Sequence, residues 1–213
     1  MPQPRPQSYP TMLKPHYLPT SIHEAGCDEA GRGCLAGSVY AAAVIFPPDY
    51  SNEELNDSKQ LTAKRRYALR EIIERDAQAW ALGIVTAEEI DRINILNASI
   101  LAMHRALDSL AIRPDHIIVD GNRFKPYGTT PHTTIVKGDA KFLSIAAASI
   151  LAKTYRDDYM KEQHLLYPHY GWDHNAGYPT QEHREGILRH GITPIHRRSF
   201  TLCAQGDLFK DCW

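Results

Sequence analysis

The chain is expected to fold as an α/β domain built around a mixed sheet, and three observations carry that expectation. Three strand patterns lie close together near the start, in residues 22–28, 38–46 and 79–86. Further along, short β-branched runs alternate with long helical patterns, which is how layered α/β folds are written. Finally, three strand patterns run out in carboxylates: Asp28-Glu29, Asp120 and Asp139. In open α/β sheets, strand ends far apart in sequence meet at one edge.

The elements follow in order. Residues 1–20, "MPQPRPQSYPTMLKPHYLPT", hold six of the fourteen prolines and no acid, and are expected to form an extended tail. Ile22 to Asp28 reads as a strand that must break at Glu29, because adjacent strand residues point to opposite faces. Ser38 to Phe46, "SVYAAAVIF", reads as a buried strand ended by Pro47-Pro48. A helix with candidate caps Asp57 and Ser58 follows, with Tyr67, Leu69, Ile72 and Ile73 at helical spacing. "AWALGIVT" is the third strand, and "AEEIDRINILNASILAMHRALDSL" is expected to be one long helix. "HIIVDG" and "HTTIVKGD" read as strands stopping at Asp120 and just before Asp139. "SIAAASILAKTYRDDYMKEQHLL" is a second long helix, whose alanines would let it lie close against a sheet. "TQEHREGILRHG" is a shorter, final helix. Residues 21–200 are expected to form one domain, with residues 201–213 as a C-terminal tail.

Composition narrows the function classes. With 213 residues and 43% hydrophobic content, one domain can bury a core. No apolar run approaches membrane-spanning length and no signal-peptide pattern opens the chain, so a cytoplasmic, membrane-free setting is expected. Cys27, Cys34, Cys203 and Cys212 show no CxxC spacing, which argues against a zinc site or a disulfide framework. The formal net charge of −1 is unevenly spread. Residues 1–120 carry 12 Lys/Arg and 16 Asp/Glu, whereas residues 121–200 carry 11 and 7. A basic second half suits a polyanion, although solvated surfaces can segregate in the same way. A monomer is the default expectation.

Each strand-end acid alone has an ordinary explanation, since Asp120-Gly121 and Gly138-Asp139 are common turn dipeptides. Their coincidence at strand ends favours a metal site. Carboxylate oxygens suit Mg²⁺ or Mn²⁺, and clustered acids become tolerable with cations between them. Such ions can activate water and stabilise a leaving oxygen in phosphodiester cleavage. Gly31-Arg32-Gly33 then gains a role: glycine backbone can approach a phosphate or sugar hydroxyl closely, and Arg32 can add a phosphate contact. A tight turn would account for the tripeptide equally well.

The motifs "GCDEAGRGCLAG", "LNDSKQLT", "VDGN", "VKGDAKFLSIAAASILAK", "GYPT" and "HRRSF" occur together and in order. Over Ala25 to Phe200 the chain thereby resembles bacterial ribonuclease HII, a type 2 ribonuclease H. The resemblance implies a ribonuclease H-like fold with a small helical C-terminal extension. It implies endonucleolytic cleavage of RNA in RNA–DNA hybrids, and incision 5′ of ribonucleotides embedded in duplex DNA, leaving 3′-hydroxyl and 5′-phosphate ends. It makes Asp28, Glu29, Asp120 and Asp139 the catalytic, metal-holding acids. Gly31, Arg32 and Gly33 match the motif that senses the 2′-hydroxyl, and Tyr178 matches the tyrosine packed on the adjacent deoxyribose. Lys59 and Lys137 lie inside matched motifs as candidate phosphate contacts, with Lys153, Arg197 and Arg198 as further candidates, and a solvated surface role accounts for any one of them equally well. His183 and His196 could be proton shuttles, although structural histidines fit better. One departure is Gln60, where the family often has lysine. The absence of a large N-terminal substrate-binding domain argues against the related ribonuclease HIII.

Near the end, Gln205-Gly206-Asp207-Leu208-Phe209 is similar to peptides that dock on bacterial sliding clamps, with packing on its own domain as the simpler expectation for so short a motif. Two other functions compete. A phosphoester hydrolase of small molecules would not need the sugar-sensing motif, and a hybrid-binding module without catalysis would not need all four acids.

Overall fold

Strand β1 (Glu24–Ala30) runs through the middle of a mixed sheet. On one side it pairs antiparallel with β2 (Val39–Ile45), which pairs antiparallel with β3 (Ala79–Val85). On the other it pairs parallel with β4 (His116–Asp120), which pairs parallel with β5 (His132–Ile135). The order across the five strands is β3-β2-β1-β4-β5. This computed structural model describes residues 13–19, 21, 23–55 and 61–202.

Helices cover both faces. α1 (Ala63–Asp76) and the long α4 (Leu143–Leu166) pack on one face against Ala42 and Val44 of β2. α2 (Ala87–Ile93) and α3 (Ile95–Asp108) cover the other, where Ala25 and Cys27 of β1 and Ile117 and Val119 of β4 meet Ala98, Ala102 and Met103. The period of two in β1 explains the split: odd positions face α3 and even positions face α4. Gly26 belongs to the α4 side, where a Cβ would lie 2.4 Å from the Ser144 carbonyl carbon. A side chain there would push α4 off the sheet. α5 (Trp172–Asn175) and α6 (Gln181–His190) form the C-terminal extension, packed through Trp172, Tyr170 and Ile187 onto Leu35, Ala36 and Met160.

Four sequence expectations need correction. β1 does not break at Glu29: it pairs with β2 through Glu29↔Ala41 and Ala30↔Tyr40. The expected single helix over residues 87–110 is two helices, parted at Asn94, whose φ of 64° is left-handed. There the Asn94 side chain accepts from the Asn97 N–H and caps α3, a job asparagine does better than it sustains a helix. α1 is capped by Thr62, which accepts from the Arg65 N–H, while the expected caps Asp57 and Ser58 lie outside the described residues. β5 ends at Ile135 rather than just before Asp139, because Lys137 turns left-handed (φ 56°) into a 3₁₀ turn, Gly138–Ala140.

Candidate active site

The parallel pairing of β1 with β4 stops at Cys27↔Val119, so β1 runs on past its neighbour. Asp28 and Glu29 therefore sit where the sheet edge opens and both faces are within reach. Alternation is obeyed. Asp28 lies on the α4 side, hydrogen-bonded to Ser149, and Glu29 lies on the α3 side. Asp120 closes β4 and accepts from the Gly138 N–H at 2.7 Å. All three acids line one cavity of about 330 Å³, together with Gly31, Arg32, Gly33, Arg66, Ser149, Lys153 and Tyr178. The geometric tension in the sequence is thus resolved by an overhanging strand, not a broken one.

The cavity is electrostatically costly for its acids. Burial holds the Asp28 carboxyl well above the usual carboxylate range, and the charges of Glu29 and Asp120 push the same way. Hydrogen bonds from Ser149 and from the Glu29 N–H, at 2.7 Å, offset this only in part. Burial also raises Glu29, against the opposing pull of Arg32, whose Nη1 donates to Glu29 Oε1 at 3.0 Å. Asp139 takes a different position. It is 1% exposed within the 3₁₀ turn, adjacent in sequence to the Gly138 that binds Asp120, and is not among the residues lining the cavity.

Among the described residues no three Asp, Glu, His or Cys side chains close around one point, so no all-protein cage exists. Mg²⁺ and similar hard ions do not ask for one: they bind through one or two carboxylates, with waters and substrate phosphates completing the shell. An oxygen-only set in which Glu29 and Asp120 raise the proton affinity of Asp28 fits such an ion.

The loop after β1 is held from beneath by two arginines that sequence reasoning missed or misplaced. Arg156 of α4 is fully buried and donates to the backbone carbonyls of Ser38, Ala176 and Ala36 at 3.0, 2.8 and 3.1 Å. Arg197, a candidate either for phosphate contact or for solvated surface by its sequence, is instead fully buried, with Nε and Nη2 on the Gly37 carbonyl and Nη1 on that of Arg32. Burial lowers its pKa to about 10, still well above neutrality. Gly31 is needed for two reasons. Its φ is +94°, and a Cβ would lie 2.0 Å from Arg156 Nε. Among the described residues, the N–H groups of Arg32 and Gly33 have no hydrogen-bond partner, which leaves two backbone donors at the cavity wall.

Tyr178 sits across from this loop, 42% exposed. Its ring approaches Gly33, its hydroxyl engages Cys34, and Lys153 Nζ lies 5.8 Å from the ring centroid. Lys137 is exposed at its turn, away from the cavity lining, and Arg198 is exposed with its backbone N–H on Asp91. Lys59 and the Gln205–Phe209 peptide lie outside the described residues. His183 and His196 are structural. Both are buried, linked at 3.2 Å, and His183 Nε2 accepts from the Trp172 indole N–H. Arg66 and Ser149 were not anticipated as cavity residues, since a basic first turn and a small helical residue carry no distinctive signal.

An overhanging acid pair at the middle of a β3-β2-β1-β4-β5 sheet, facing the end of the next parallel strand, places the chain in the ribonuclease H-like fold class. The Ribonuclease HII family model matches residues 25–203. A ribonuclease HII from Phocaeicola vulgatus is 70% identical over 191 residues, covering 90% of this chain and 94% of its own. The ribonuclease H2 of Pyrococcus horikoshii superposes with a TM-score of 0.74 at 26% identity, over 85% of this chain and 95% of that one. The ribonuclease HII in a PCNA complex from Archaeoglobus fulgidus superposes at 0.67 with 25% identity, over 82% and 92%. The chain belongs to the ribonuclease HII family. Among the described residues no helix is long and apolar enough to cross a membrane.

Proposed function

We propose that the chain cleaves the RNA strand of RNA–DNA hybrids and incises duplex DNA 5′ of embedded ribonucleotides, leaving 3′-hydroxyl and 5′-phosphate ends. One observation carries this reading: Asp28, Glu29 and Asp120 share a single cavity with the Gly31–Gly33 backbone and Tyr178. The acids would hold two divalent cations, Mg²⁺ or Mn²⁺, with Asp139 assisting from its turn. Bound there, such ions supply Lewis-acid polarisation of the phosphate and an activated water.

The chain's own residues select the sugar. A 2′-hydroxyl is the sole mark of ribose, so its reader must come within hydrogen-bonding distance. The unpartnered N–H groups of Arg32 and Gly33 are suited to that, and the absence of a side chain at Gly33 lets the sugar approach. Tyr178 faces the same loop and offers a flat apolar surface to the neighbouring deoxyribose. Lys153 and Arg66 in the cavity lining can meet phosphate oxygens.

The test is cleavage of a labelled DNA duplex carrying one ribonucleotide, with Mg²⁺, with Mn²⁺ and with chelator, beside an all-DNA duplex, an RNA–DNA hybrid and free nucleotides. Metal-dependent incision 5′ of the ribonucleotide, with all-DNA untouched, is expected. Hydrolysis of nucleotides alone would make it a small-molecule phosphoesterase. Tight hybrid binding without any cut would make it a binding module.

A further inference from the structure

A second and larger cavity, about 720 Å³, opens on the α2–α3 face and has no part in the chemistry described above. It is lined by Arg92, Asn94, Asn97, Ile100, His104 and Lys125, among others. Its existence follows from the Asn94 break: α2 ends and α3 restarts in a new direction, leaving a concave corner between them.

Three features of this corner point to one class of ligand. The first is charge. Arg92 and Lys125 are exposed on its walls, and neither side chain forms an ion pair or hydrogen bond among the described residues. The carboxylate in the lining, Asp91, is already engaged by the N–H groups of Arg198 and Ser199 and by the Ser199 hydroxyl, at 2.9, 2.9 and 2.6 Å. The second is continuity. A small cavity of about 50 Å³ bridges the corner to the acids: it shares Ile100 with the larger one and Glu29, Arg32 and Asp120 with the active site. The third is that the bridge carries another exposed cation, Arg123, equally unpaired among the described residues. Unpaired cations in a line leading away from a phosphate-cutting centre are what a polyanionic backbone requires.

We infer that the α2–α3 corner is an extended subsite for the phosphodiester backbone of the substrate, with Arg92, Arg123 and Lys125 meeting phosphates several nucleotides from the cut. This rests on the proposed nucleic-acid reading of the active site. These contacts fix register and affinity and carry no sequence information.

The experiment compares wild type with the Arg92→Gln/Lys125→Gln variant. Both residues are exposed, so folding should be retained and is checked by thermal melting. Steady-state cleavage of a long duplex containing one ribonucleotide is read over a range of salt. Expected is a several-fold rise in KM with kcat unchanged, and a log KM against log salt slope shallower by about two, since each lost phosphate contact contributes about 0.9. Duplexes trimmed from either end should show the difference vanish on one side only, below a threshold length. Equal KM and equal salt slopes for the two proteins on the longest duplex would overturn the subsite while leaving the active-site reading intact. Anisotropy binding of the same duplexes in chelator runs in parallel. If the wild type does not cut at all, the active-site reading fails, and the binding slopes alone then decide whether the corner holds nucleic acid.

Discussion

Two buried charge clusters face each other across the Gly31–Gly33 loop, and they are built on opposite rules. The carboxylates of Asp28 and Glu29 are buried beside Asp120, and burial together with the neighbouring negative charge raises the proton affinity of both. The guanidiniums of Arg156 and Arg197 are buried more deeply still, yet each is spread over backbone carbonyls. Burial alone therefore does not mark a functional charge. What separates the clusters is their neighbours: each guanidinium is spread over neutral carbonyls, whereas Asp28 faces the like charges of Glu29 and Asp120.

The sharpest way to break this contrast is to neutralise an acid. Asp28→Asn or Asp120→Asn should lower cleavage by about 10³-fold or more in single-turnover assays. The Asp28 carboxyl has a raised folded pKa, so the stability it contributes is present below its ordinary value of 3.8 and lost as pH rises. An amide keeps that contribution at neutral pH. Asp28→Asn should therefore stabilise the metal-free protein by about 1 kcal/mol in a urea melt. A loss of stability would show that the acids are not in conflict.

The arginine side of the contrast predicts the reverse. Arg156→Ala should cost about 3–5 kcal/mol, because three buried carbonyls lose their donor. Arg156→Lys should recover only part, since a lysine cannot span three carbonyls. A next step down concerns the buried imidazoles. Burial lowers the pKa of His183, and that of His196 falls to about 3, so their stability is present above about 6.5 and fades as pH drops. A loss on the order of 2 kcal/mol between pH 7 and 5 is expected, flattened in His196→Asn. The smallest effect belongs to Arg32→Ala. Its half-exposed pair with Glu29 should shift stability by no more than about 0.5 kcal/mol, while KM rises.

The convergence of Asp28, Glu29 and Asp120 on one cavity was legible in the sequence because strand patterns and a turn dipeptide frame them, whereas Asp139 lies in a 3₁₀ turn outside that lining. The sheet and its main helices were legible from periodicity for the same reason. Other features were not. Whether β1 ran on past β4 as an overhang depended on where β4 stopped, which is a register between positions such as Cys27 and Val119, far apart in the chain. Asn94 did carry a signal, an asparagine three residues before another, but it was hidden inside an unbroken apolar period. Arg156 sits in "AKTYRDD" and looks like solvated helix surface, while Arg197 in "HRRSF" looks like a phosphate contact. Only the directions of the loop carbonyls reveal that both point inward.

The fastening of that loop also sets an order of events during synthesis. The carbonyls of Arg32 and Gly37 are held by a side chain 160 to 165 positions later in the chain. Closing so long a loop is entropically expensive and slow, so it comes after the local helices and hairpins. The acids of the first strand need the chain as far as Ser149 of α4, whereas the surface that would read the sugar waits for nearly the last of the described chain. A nascent or C-terminally clipped protein would thus hold its carboxylates without a formed gate beside them, and selectivity would be the last property acquired and the first one lost.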